Sequence, residues 1–185
     1  MVSGRDWYQE FYQSYFKFPR IRRVLRGGEV KDAEWTKIMK DEFLTSLAQR
    51  IGYQVGQETV RVDQVWKRNG KPEVAIEHEN WFSGIWRELT NLSVVDAKLR
   101  VLITYVEDGA LTWRPFRLAD EVRRSLEDNK VEGEFLLLVT DEQSNSWVCF
   151  LFEPKFKIDF QALPPPKSQL KSWDTIRAKK NEYTP

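Results

Sequence analysis

Residues 60–80 read VRVDQVWKRNGKPEVAIEHEN, and this stretch decides the fold. Two runs rich in β-branched residues, 60–66 and 73–79, flank a polar connection containing Asn69-Gly70, the strongest short hairpin signal, so the spacing predicts two antiparallel strands. Both runs carry acids where strands normally carry apolar side chains. Asp63 interrupts the first, Glu77 interrupts the second and Glu79 ends it. A carboxylate within an apolar strand has a desolvation cost that a fold tolerates for a reason. Alternation puts Glu77 and Glu79 on one face and His78 on the other. Pairing of the two strands brings Asp63 beside Glu77.

Working outward from the hairpin, apolar positions Trp35, Met39, Phe43, Leu47 and Ile51 recur at helical spacing from Asp32, a candidate N-cap, to Gly52. On a helical wheel Glu42 falls between Ile38 and Met39, inside the apolar arc. After Asn80, SGIWRELTNLSVV changes to helical spacing through Ile85, Leu89 and Leu92, and LRVLITYV (99–106) returns to strand composition. A strand reached by such a crossover runs parallel to its predecessor. A helix over 116–128 with Pro115 near its first turn follows, then strands at 133–141 and 146–154. Near-continuous apolar strands such as VLITYV and FLLLV predict a sheet covered on both faces.

The order of elements, with two or three acids at the end of a hairpin, resembles the PD-(D/E)XK nuclease superfamily and its restriction endonuclease-like fold. The resemblance covers roughly residues 33–106. It implies an α/β fold: a mixed central sheet flanked by helices, with an αβββαβ core, an extra N-terminal helix and a C-terminal extension. It further implies hydrolysis of phosphodiester bonds in DNA, with Mg2+ or Mn2+ held by Asp63 and Glu77, residue 79 orienting the attacking water and Glu42 matching an acid on the first helix. Independently of any family, hard cations favour oxygen ligands, and clustered acids suit one. The family's usual lysine is replaced by Glu79, no lysine occurs from Glu73 to Val95, and Arg87 is the nearby basic residue on the following helix. The alternative reading keeps the fold as a non-catalytic interaction or assembly module.

The flanks complete the organisation: 1–31 an aromatic helix and basic arm, 32–154 the α/β domain, 155–185 an extension. Trp7, Tyr8, Phe11, Tyr12, Tyr15 and Phe16 lie along one side of a helix that must bury its rings, against the chain's own core or in a homodimer. Pro19 ends that helix and Gly27-Gly28 marks a loop. Between Lys17 and Lys31, six basic residues face the single acid Glu29, a local balance of +5, and Arg20, Arg22, Arg23 and Arg26, with Arg87, are candidate nucleic-acid contacts. The extension holds a triple proline at 164–166 and a helix with Leu170, Trp173 and Ile176 on one face.

Composition narrows the function classes. With 41% hydrophobic residues among 185, eight of them Trp, the chain can bury a sizeable core. A net charge of +1 argues against a nucleic-acid coat protein. Uninterrupted apolar runs fall far short of the roughly 20 residues of a membrane helix, and no secretory signal is visible, which predicts a cytoplasmic protein. The lone Cys149 in WVCFLF reads as a buried small hydrophobe. His78, the sole histidine, points away from the acids and reads as a packed imidazole. No Gly-rich phosphate loop and no histidine set for a triad or a zinc site is present.

Overall fold

The hairpin closes on Asn69 and Gly70, whose φ angles of 53° and 75° make a two-residue turn of the hand that suits twisted strands. The computed structural model describes residues 2–56, 62–80, 84–106, 114–141, 147–153 and 160–163. Strand β2 (Gln64–Arg68) pairs antiparallel with β3 (Lys71–Glu79), and Gln64 opposes Ile76. The first strand is therefore shorter at its start than the composition of 60–66 suggests. Asp63 occupies a bend ahead of it, because its N–H goes to the Glu77 carboxylate and its side chain takes the His78 N–H.

Around this hairpin the sheet grows in chain order. Strand β1 (Gln54–Gly56), which the sequence reading did not anticipate, pairs antiparallel with β2. Strand β4 (Leu99–Val106) runs parallel to β3 and β5 (Glu134–Asp141) parallel to β4, while β6 (Trp147–Phe152) and β7 (Phe160–Leu163) add antiparallel. The result is a mixed sheet of seven strands in the order β1 to β7. β7 lies within the extension 155–185, where the sequence reading expected no strand, and the helix expected near 170–176 falls outside the described residues.

Helices cover both faces. The crossovers β3–β4 and β4–β5 advance in one direction, so a common handedness sends both connecting helices, α5 (Ile85–Ser93) and α6 (Arg114–Asp128), to the same face. There Ile85, Leu89, Val122 and Leu126 pack on Ala75, Leu102, Leu137 and Phe150. The other face receives α1 (Gly4–Tyr15), α2 (Pro19–Leu25), α3 (Asp32–Lys37), a π-helical segment Ile38–Leu44 and α4 (Thr45–Arg50). The architecture is thus α/β, a mixed sheet between two helical layers.

Two local outcomes depart from the sequence reading. Pro19 opens a helix instead of merely ending one: its fixed φ suits the first helical position and its missing N–H needs no partner there. The basic segment 19–25 is consequently an ordered helix. The helix expected over 32–51 contains the π segment, in which backbone bonds reach one residue further.

The N-terminal aromatic stripe is buried within the chain. Phe11, fully buried, meets Trp147 edge-on at 5.2 Å and Phe43 at 5.3 Å, while Trp7 lies 5.7 Å from Trp66. These rings leave no aromatic face on α1 for the homodimer considered above. Ser3 caps the helix by accepting the Asp6 N–H. Gly4 sits where a Cβ would meet Leu151 at 2.8 Å, so the helix start lies close against the sheet. Phe11→Ala should lower the unfolding free energy by about 3–5 kcal/mol, the range for aromatic truncation in a packed core, measured by urea denaturation.

Candidate functional site

Strand alternation in β3 sends Val74, Ile76 and His78 toward the layer of α1 to α4, and Ala75, Glu77 and Glu79 toward α5 and α6. Since β2 begins at Gln64 opposite Ile76, the preceding residue Asp63 stands beside Glu77 at the carboxyl end of β3. In open α/β sheets this is the end where ligands bind.

Asp63 is held from three directions. Its Oδ1 accepts from Lys40 Nζ at 2.6 Å, its Oδ2 from the His78 N–H at 2.9 Å, and its own N–H donates to Glu77 Oε2 at 3.0 Å. Lys40 belongs to the π segment. Its carbonyl accepts from the Gln64 amide and from the Thr45 hydroxyl at 3.4 Å. Gln64 is fixed in turn by donation from Trp66 Nε1 to its Oε1 at 2.7 Å. The widened turn that presents Lys40 is thus tied to the residue following Asp63.

Glu77 is 2% exposed. Burial, then the charge of Asp63, then its hydrogen bond with Glu88 push its carboxyl up to about 9, against an ordinary 4.5. It holds a proton at neutral pH. Glu88, on α5, is itself buried and is gripped by Asn91 Nδ2 at 2.9 Å and by Arg87 at 2.5 Å. The same Asn91 amide reaches Glu77 Oε1 at 3.5 Å. The protonated Glu77 carboxyl therefore faces Glu88 under an amide and a guanidinium.

Glu79 leans over the start of α5. A Cβ on Gly84 would lie 2.1 Å from its Oε2, and Arg87 stands 3.8 Å from the same oxygen. Glu42 is paired with Arg20, which also holds Glu34 at 2.7 Å. The structure thus brings Asp63 and Glu77 together, sets Glu79 against Gly84 and Arg87, and engages Glu42 with α2. Among the described residues, no three His, Cys, Asp or Glu side chains stand as a ready metal cage.

On the opposite face His78 Nε2 lies 2.8 Å from the Tyr105 hydroxyl, which accepts from Trp35 Nε1 at 2.9 Å. The direction of the His78–Tyr105 hydrogen bond follows the imidazole tautomer, since a hydroxyl oxygen that accepts from Trp35 can still donate or accept. Burial pulls the ring down to about 4, so it is neutral at physiological pH, and it packs as the sequence suggests.

Sequence reasoning missed Lys40, Glu88 and Asn91. Glu88 was findable: it lies three residues after Ile85 and four before Leu92, on the apolar stripe of α5. Lys40 carried no such signal, since its approach to Asp63 depends on the π segment.

Comparisons with known proteins add little. No family model and no curated protein matches the chain. Among solved structures, the YaeQ protein from Xanthomonas axonopodis pv. citri aligns over 69% of this chain and 77% of that chain, at 10% identity and a TM-score of 0.29. A likeness this slight carries no argument. No helix among the described residues is long and apolar enough to cross a membrane.

The buried carboxyl makes stability depend on pH. Folded Glu77 keeps its proton up to about 9, whereas the unfolded chain releases it near 4.5. Within that window the folded state binds the extra proton, so the Glu77 contribution is fully present below the lower value and lost as pH rises toward the upper one. In metal-free buffer the melting temperature should carry a component that declines from mildly acidic to mildly alkaline pH. Glu77→Gln should remove that component, as followed by circular dichroism across the range.

Proposed function

We propose that this chain is a metal-dependent nuclease-like protein that hydrolyses phosphodiester bonds in DNA, with Asp63 and Glu77 holding Mg2+ or Mn2+. The observation that carries the reading is the meeting of Asp63, Glu77 and Lys40 at the carboxyl end of β3. The two carboxyl groups suit a hard cation. A divalent ion would offset the burial and the like charge of Asp63 that now keep a proton on Glu77, and Mg2+ usually retains several waters beside one or two carboxylates, so no third acid is required. When bound, the ion supplies charge stabilisation to the phosphoryl group and lowers the pKa of a coordinated water.

The residues around the pair have separable tasks. Lys40 supplies from the helical layer the ammonium that position 79 lacks; its side chain is 29% exposed, so the charge lies within reach of an anionic substrate. Asp63 anchors that ammonium and fixes β3 through the His78 amide. Glu88 and Asn91 hold the Glu77 carboxyl in place, with Arg87 orienting Glu88. Glu79 is 13% exposed beside Arg87, and in this reading its carboxylate orients a water.

One observation favours the non-catalytic module. Lys40 neutralises Asp63 and a retained proton neutralises Glu77, so these two acids are electrically satisfied without an ion. Catalysis separates the two readings. Incubated with duplex DNA and Mg2+ or Mn2+, the wild type should cleave, and Glu77→Gln should cleave on the order of a hundredfold less or worse. Lys40→Met should also lose cleavage while keeping the rise in melting temperature that the ion confers on the wild type. Wild type that cleaves no DNA with either ion, and whose melting temperature ignores both, leaves the module reading.

A further inference from the structure

Several of the described arginines pair with acids. Arg50 pairs with Glu10, Arg87 with Glu88, Arg117 with Glu121 and Arg123 with Glu127. Arg20, on α2, is taken by Glu34 and Glu42. By contrast Arg22, Arg23 and Arg26 on and just after the same helix are exposed and have no acidic partner among the described residues. They line a concavity of about 550 Å3 together with Pro19, Gly27 and Gly28, and no acid contributes to its wall. An adjoining depression of about 160 Å3 shares Pro19 and includes Lys17.

We infer that this α2 surface binds the phosphate backbone of double-stranded DNA, an inference that rests on the nuclease reading above and supplies it with a substrate-holding surface outside the stretch of chain that carries the acids. Three arguments point there. Unpaired guanidiniums around a concave wall attract phosphates and present forked donors to their oxygens. The two cation-bearing depressions are contiguous at Pro19, which suits an extended polyanion better than a single small anion. A single strand would need exposed rings to stack its bases: the arginine-lined concavity has none, Phe18 and Phe43 in the smaller depression are half-buried and buried, and the exposed large apolar residues among those described are Trp86 and Val94, both in or beside α5. A charged surface whose main concavity lacks rings meets the backbone of a duplex.

The geometry also assigns a task to Arg20 and Glu42. Their pairing fastens α2 to the π segment that carries Lys40, so the basic surface and the Asp63 cluster are joined through one helical unit. Glu42 serves as a strut between them.

The test is binding of a fluorescent blunt-ended duplex by the full chain in excess chelator, which keeps metal chemistry out of the reading. Between about 50 and about 200 mM salt, each lost phosphate contact reduces the slope of log affinity against log salt by about 0.9. Replacing Arg22, Arg23 and Arg26 together by Ala should lower that slope by about 2 to 3 and weaken binding at low salt at least tenfold, while the melting temperature stays put. The corresponding triple Lys variant should retain most of the slope. Equal affinity and slope for wild type and the triple Ala variant would overturn the inference. So would wild type that ignores the duplex and instead sediments with phosphatidylserine vesicles. Loss of cleavage in Glu77→Gln with unchanged duplex binding concerns the metal site alone, which keeps the two failures apart.

Discussion

Asp63 is the residue at which the two helical layers and the sheet are joined. One carboxylate oxygen takes the ammonium of a helix on one side, the other takes a backbone N–H of the central strand, and its own amide reaches the carboxyl that faces the helices on the far side. A residue whose side chain and backbone N–H take three such partners could not sit inside a regular ladder. The strand therefore starts one residue later, and everything that makes the cluster chemically unusual follows from that irregular position.

The electrostatics of the cluster follow from how few charges a dry site supports. Asp63 stays near a cation, while Glu77, two residues short of the strand end and almost wholly enclosed, has no cation of its own and keeps a proton instead. Glu88 makes the pattern clearer. Arg87 beside it on the same helix, largely exposed, provides its counter-charge, whereas Arg100, buried in β4, turns to the carbonyls of Leu92 and Val95 and closes the end of α5. Charges in this chain are buried where a hydrogen-bonding partner comes from a neighbouring element, as the cost of desolvation requires.

Much of this was readable from the residues in order. Asn69-Gly70 specified the hairpin, period-two alternation separated Glu77 from His78, and apolar stripes located α5, α6 and the helices before β1. What escaped reading was long-range. The π segment places Glu42 differently from an ideal helical wheel: with more residues per turn, four steps from Ile38 fall short of a full turn and leave Glu42 on the side of Ile38 away from Met39, out of the apolar arc, where Arg20 meets it. The partner that accompanies this widening, the Gln64 amide on the Lys40 carbonyl, lies in a different strand, so no local pattern announces it. Strands β1 and β7 are short, with pairing partners that define them better than composition does. Pro19 was misread because proline marks both the end of one helix and the start of the next.

The strictly sequential order of the strands bears on how the chain is made. Each strand from β2 to β7 finds its neighbour already synthesised, so the sheet can extend as the polypeptide emerges. The aromatic N-terminal helix is the exception. It is produced first, yet Phe11 and Tyr15 rest on Trp147 of β6, which leaves the ribosome late. At about 5–20 residues per second, that helix waits on the order of ten seconds without its principal surface. During this interval its rings can meet Phe43 and Trp66 but not Trp147, and docking on β6 completes that layer last.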